Sequence, residues 1–180
     1  MQLISEEYKV LNRKLHKSRP DYGARGNRFA EVVLSMGKVY DTRDVLDYGC
    51  GKGQLRRALA MMDVKEYDPG IIGKEVLPEP ADIVACFDVL EHIEPECLDS
   101  VLSHIFTLSK RTAIINVATR PAAKFLEDGR NSHLTIQPYL WWLNKLDEYD
   151  WELVQFNRSG MGEFLSIYAK NELELPDEAD

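Results

Sequence analysis

Residues 45–55, Val45-Leu46-Asp47-Tyr48-Gly49-Cys50-Gly51-Lys52-Gly53-Gln54-Leu55, set three glycines within five positions behind a hydrophobic run and an acid. "RDVLDYG" reads as a short buried strand ending in glycine. A helix is expected from about Gln54 to Met62, carrying Leu55, Leu59 and Met62 inward. A strand, glycine loop and helix in this order bring bare backbone against a ligand, because glycine has no Cβ to clash. The helix start adds unpaired N–H groups for carboxylate or phosphate. Asp68 ends the next expected strand, "VKEYD", where a carboxylate can accept both hydroxyls of a ribose. The ligand should therefore contain a nucleoside. Gly49, Gly51 and Gly53 are spaced one residue more tightly than the G-x-G-x-x-G of dinucleotide sites.

Working outward, residues 3–17 form an amphipathic pattern with Ile4, Tyr8, Leu11 and Leu15 on one stripe, and a second helix is expected over about Asn27 to Met36. "ADIVACFDVL" is a third strand running into "EHIEPE". A helix over about Pro95 to Ser109, the strand "TAIINVAT" and a polar loop over roughly 120–137 follow. The helix "PYLWWLNKLDEY" and two closing strands complete the chain. Trp141 and Trp142 on that helix are read as core, with stacking on a substrate ring as the alternative. The pattern is α/β: a doubly wound, mostly parallel sheet with a C-terminal antiparallel hairpin. The 180 residues are expected to form one domain, with a helical cap over 1–38, a core over 40–170 and an acidic tail over 171–180.

No apolar stretch is long enough to span a bilayer and the amino terminus lacks a secretory apolar region, so no membrane partner and a cytoplasmic location are expected. Cys50, Cys86 and Cys97 lack metal-ribbon spacing and are read as reduced thiols. The net charge of −8 argues against a broad nucleic-acid surface. Residues 9–28, however, hold seven basic residues against Asp21 alone. Such a segment fits a small anionic ligand or a short run of phosphates; a solvated helix face is the alternative.

"VLDYGCGKG" resembles the first motif of class I S-adenosylmethionine-dependent methyltransferases, "EYDP" their second and "DIVACFDVLEHI" their fourth. The resemblance covers about residues 40–170 and implies a Rossmann-like fold. It implies that the loop from Asp47 through Tyr48, Gly49, Cys50, Gly51 and Gly53 holds the amino-acid part of S-adenosylmethionine and Asp68 its ribose. Gln54, Pro69, Phe87 and Asp88 complete the implied cofactor contacts. Only 14 residues separate Asp68 from Asp82, so the family's third strand and its helix should be reduced or missing. Adenine contacts are then expected from "PADIVACF".

Asp88, Glu91 and His92 would share one face if their segment enters a helical turn, and His133 lies in a loop that strand order brings to the same rim. The constellation is similar to the Glu-x-x-Glu-His motif of the small-RNA 3′-end ribose methyltransferases and of the ubiquinone-pathway O-methyltransferases. Two readings stay open. In one, Asp88, Glu91, His92 and His133 bind a divalent metal (Mn, Zn, Fe or Mg); in the other they are a metal-free catalytic group with His92 or His133 as general base. His16 and His104 are expected on helices away from the rim. Arg120, Lys124 and Arg130, with Tyr22, are the expected substrate contacts. The functions weighed are O-methylation of a small anionic or diol-containing molecule, methylation of an RNA 3′ end or nucleotide ribose, and a non-catalytic S-adenosylmethionine-binding module.

Overall fold

The computed structural model describes residues 1–171, so the acidic tail expected over 171–180 lies outside the described residues except for Asn171. The chain opens with α1 (Glu6–Ser18), whose cap Ser5 accepts the Tyr8 N–H and whose first turn carries Glu6 and Glu7. Both features suit a helix amino terminus, where free N–H groups and the positive dipole end need acceptors. The second expected helix begins as a 3₁₀ turn, Gly26–Phe29, before α2 (Ala30–Val39).

β1 (Asp44–Tyr48) leads through the glycine loop into α3 (Gln54–Ala58), which is shorter than expected. The chain must already be turning at Leu59 to enter β2 (Asp63–Tyr67), and Leu55 and Leu59 still supply the buried face. β3 (Ala81–Phe87), α4 (Leu98–Leu108), β4 (Ser109–Ala118), α5 (Tyr139–Leu146), β5 (Trp151–Ser159) and β6 (Glu163–Lys170) follow.

The described strands form one six-stranded sheet in the order β2-β1-β3-β4-β6-β5. β2, β1, β3 and β4 are parallel, while β6 runs antiparallel to β4 and to β5. Between Asp68 and Ala81 the chain forms no strand, so β2 is a sheet edge and the family's third strand is missing, as the short spacing suggests. Alternate side chains feed two cores. Leu46, Val84, Cys86 and Ile115 pack with α4 and Trp142, whereas Val45, Ile83, Ala85 and Ile114 pack with Val33, Leu55 and Leu59. Trp142 is thus core, as read, but Trp141, its neighbour on the helix, points the other way and is exposed. The order reverses between β1 and β3, the place where a parallel α/β sheet opens a crevice at its carboxyl edge.

Candidate active site

A cavity of about 290 Å³ lies at that crevice, walled by the glycine loop, the end of β3, the loops at 120–124 and 132–133, and the N-terminal cap. On its β1 side, Gly49 and Gly51 have positive φ angles of 76° and 49°. A Cβ on Gly49 would strike the Val89 side chain, and one on Gly51 would sit 2.6 Å from Gly23 O. Asp68 receives the N–H of Gly51 and of Gly70, each at 2.9 Å, which fixes the loop around its carboxylate. Asp47 is buried below the loop. Burial, with the neighbouring Glu66 charge, raises its pKa to about 7. The N–H groups of Gly49, Cys50, Gly51, Lys52 and Gly53 all bond within the chain, so the loop does not offer the unpaired donors that its sequence suggests; the buried acid of Asp47 is the group that fits the ammonium of an amino-acid headgroup, next to a ribose at Asp68. Tyr48, Cys50, Pro69 and Phe87 also face the cavity. Gly53 and Gln54 are not among its lining residues. The missing Cβ of Gly53 makes room for Glu66 and Lys74, and Gln54 begins α3.

On the opposite side, Glu91, His92 and His133 present one donor atom each, all within 4.8 Å of one another. Backbone pairing brings these distant segments together. Glu91 O accepts the N–H groups of Leu134 (2.7 Å) and Thr135 (3.0 Å), and Thr135 Oγ1 donates to Ile93 O. His92 Nδ1 donates to Ser132 O, and His133 Nδ1 donates to Arg120 O at 2.6 Å. Each imidazole is thereby held as the tautomer with its lone pair on Nε2, the arrangement carbonyl partners impose on ligating histidines. Their rings stand edge to face, 4.7 Å apart. Burial and the adjacent His133 depress the His92 pKa to about 3, and burial lowers that of His133 as well. Glu91 is fully buried. Its Oε1 accepts the Ala118 N–H while Oε2 has no protein partner, and burial with the nearby Asp88 charge raises its pKa to about 8. An unpartnered buried carboxylate oxygen beside two neutral imidazoles is a donor set that fits a divalent transition metal.

Asp88 is not part of that group. Its φ of 54° is left-handed and the helical turn starts only at Leu90, so residues 88, 91 and 92 do not share the face that regular helical spacing would give them. Its carboxylate instead holds Arg28 Nη2 at 2.9 and 3.1 Å, and Arg28 also binds Glu163 through both terminal nitrogens at 3.0 Å.

The cap supplies what the sequence concealed. Ser5 Oγ and N donate to Glu94, while Tyr8, Leu15 and Tyr22 pack with Leu126 and Leu134, so α1 lies across the cavity onto the His133 loop. His16 was expected away from the rim, yet it lines the cavity and meets the Tyr22 ring edge to face. Its stripe on α1 faces the glycine loop, a contact no local pattern reveals. Asn12 is a further wall residue without a sequence signal, and Arg28, from the basic segment, also lines the cavity. His104, by contrast, is buried and bonds Tyr48 Oη at 2.9 Å.

Of the expected substrate contacts, Tyr22, Arg120 and Lys124 line the cavity. Arg130 does not. It pairs with Asp128 and Glu7 outside, because the Asp128-Gly129 turn directs it away. Much of the basic segment is likewise engaged in pairing: Arg13 with Glu75, Lys14 with Glu127 and Arg28 with Asp88 and Glu163. Of "PADIVACF", from which adenine contacts are expected, only Phe87 lines the cavity. The others are interior strand or precede it.

No family model matches the chain and no curated protein sequence matches it. Solved structures do match. Magnesium protoporphyrin IX methyltransferase from Synechocystis PCC 6803, with S-adenosylmethionine bound, is 16% identical with a TM-score of 0.62, over 94% of this chain and 100% of that one. The 1,6-didemethyltoxoflavin-N1-methyltransferase of Burkholderia thailandensis, holding its namesake compound and S-adenosylhomocysteine, is 17% identical with a TM-score of 0.65, over 94% and 92%. The methyltransferase domain of bacterial CtHen1-C is 14% identical with a TM-score of 0.59, over 80% and 97%. The chain has the fold of these proteins; identities this low speak to fold alone.

Proposed function

We propose that the chain is an S-adenosylmethionine-dependent methyltransferase acting on a hydroxyl of a small anionic or diol-containing molecule, with a divalent metal held by Glu91, His92 and His133. The observation that carries the proposal is the meeting of two halves in one cavity: a glycine loop with Asp47 and Asp68 opposite two Nε2 lone pairs and the orphaned Oε2 of Glu91. The fold shared with methyltransferases that carry bound S-adenosylmethionine or S-adenosylhomocysteine supports the donor half.

S-adenosylmethionine supplies an electrophilic methyl on a sulfonium, so the acceptor oxygen must approach in line and lose its proton. A metal at the triad supplies Lewis acidity toward that hydroxyl and a template for a neighbouring one. Gly49 and Gly51 keep the backbone clear for the donor, while Asp47 and Asp68 take its ammonium and ribose. Glu91, His92 and His133 would hold such an ion through three protein donors, the number that catalytic metal sites use. Arg120 and Lys124 flank the rim and give it positive charge for an anionic acceptor. Holding both reactants in one small cavity removes much of the entropic barrier of a two-substrate reaction.

Without a metal, Nε2 of His133 is the base that takes the hydroxyl proton. The RNA-end alternative is weakened because Arg13, Lys14 and Arg28 are paired within the chain rather than free for phosphates.

Calorimetry with S-adenosylmethionine, alone and with Mn or Zn or chelator, tests the reading. Binding tighter than millimolar supports the donor half, and its absence overturns the assignment. Methyl transfer from labelled S-adenosylmethionine to catechol or phosphorylated diols should be lost with chelator. Full activity in chelator leaves His133 as the base and removes the metal.

A further inference from the structure

We infer that Asn12, on the cap helix α1, is part of the nucleoside site and supplies the acceptor that shares the ribose hydroxyls with Asp68. The inference rests on the S-adenosylmethionine reading and names a residue that no motif marks.

Three observations carry it. The sheet ends at β2, and the turns over 69–80 leave only Pro69 and Gly70 facing the cavity; beyond them its wall includes α1, through Tyr8, Asn12 and His16, and Ile4 just before it. Asn12 is nine-tenths buried, and its Oδ1 has no partner among the described residues. Its Nδ2 donates to Tyr8 Oη at 3.3 Å and Tyr22 Oη at 3.5 Å, which leaves the acceptor facing Gly70. Finally, a Cβ on Gly70 would collide with Asn12 Oδ1 and lie 3.1 Å from Asp68 Oδ1. The two acceptors thus lie close together on one side of Gly70, and all three residues line the cavity. A buried acceptor without a donor is unfavourable until a ligand brings one. A vicinal diol brings two, one for each oxygen, and Asp68 keeps lone pairs to spare after accepting Gly51 and Gly70.

The test is calorimetry with S-adenosylhomocysteine and its 2′- and 3′-deoxyribose analogues on the full chain. Asn12→Ala should weaken S-adenosylhomocysteine by about tenfold, the worth of a good hydrogen bond to a ligand. It should lose nothing further on whichever deoxy analogue lacks the hydroxyl that Asn12 accepts. Gly70→Ala displaces the Asn12 amide without touching it chemically and should give the same pattern, with a melting curve showing that the fold persists. Wild-type affinity in Asn12→Ala, or losses that add on both analogues, overturns the inference while the methyltransferase reading stands. Failure of the wild-type chain to bind S-adenosylhomocysteine overturns both.

Discussion

The two sides of the cavity solve the problem of holding a ligand with different materials. The donor side is mostly backbone: two glycines in left-handed conformation, in a loop whose N–H groups bond within the chain and which a carboxylate ties down. The acceptor side is mostly side chain, with His92 and His133 oriented by the carbonyls of Ser132 and Arg120 and Glu91 by the Ala118 N–H. A backbone site fails when something is added to it, because the space is already shaped. A side-chain site fails when something is removed, because the chemistry leaves with the group. Substitutions on either side should therefore separate the two functions cleanly.

The largest separation is expected at His133. Loss of an outer-shell partner already costs a metal site about 10–100-fold, and His133 is placed to be a ligand itself. His133→Ala should lower Zn or Mn affinity by more than about 100-fold while S-adenosylhomocysteine binding stays within about twofold. Equal metal affinity in the variant removes His133 from the site. The converse substitution is Gly51→Ala, which forces a Cβ toward Gly23 O and strains a φ of 49°. Strain of this kind costs about 1–3 kcal/mol, so S-adenosylhomocysteine affinity should fall by about tenfold to a hundredfold with metal binding intact. Parallel loss of both would show that the halves are not independent.

Asp47 sharpens the donor side through pH. Its folded pKa is raised to about 7, by burial first and then by the Glu66 charge. The unfolded chain ionises this acid near the ordinary carboxylate value, so between about pH 4 and 7 the folded state binds more protons. Stability therefore falls as pH rises through that window, by about 1.4 kcal/mol per unit from this group alone. Asp47→Asn should remove that slope in denaturant titrations of the ligand-free chain and yet weaken S-adenosylmethionine, whose ammonium loses its counter-charge. An unchanged slope would mean that Asp47 is not the buried acid that matters.

The same contrast explains what could be read beforehand. The donor side is local: strand, glycine loop and helix are consecutive, so VLDYGCGKGQL specified their order and carries the ligand class proposed above. The short gap between Asp68 and Asp82 likewise announced the lost strand. The acceptor side is assembled by tertiary contacts. Glu91, His92 and His133 were visible as residue types, but Asp88 was grouped with them by a helical spacing that its left-handed backbone breaks. The cap was least legible. An amphipathic stripe tells that α1 packs, not on what, so His16 was read as distant and Asn12 went unremarked. Arg130 fails for a similar reason, since the direction of a side chain beyond an Asp-Gly turn depends on geometry that composition does not carry.

The smallest expected effect joins the two sides. Arg28 enters from the cap and bridges Asp88 at the end of β3 to Glu163 at the start of β6, across the mouth of the cavity. It lies against the Phe29 ring, 4.4 Å from the centroid, so its position is set from below. Its side chain is about one-third exposed, and pairs of that kind are worth about 1 kcal/mol or less each. Arg28→Gln leaves two carboxylates facing each other and loosens the cap over both half-sites at once. S-adenosylhomocysteine should then dissociate about fivefold faster with little change in association rate. Because the pairs are partly solvated, the difference from wild type should shrink as salt rises toward 1 M, where the screening length is about 3 Å. A dissociation rate that matches wild type at low salt would show that the cap is held by Ser5, Glu94 and the Tyr22 cluster alone, and that the two halves meet without this latch.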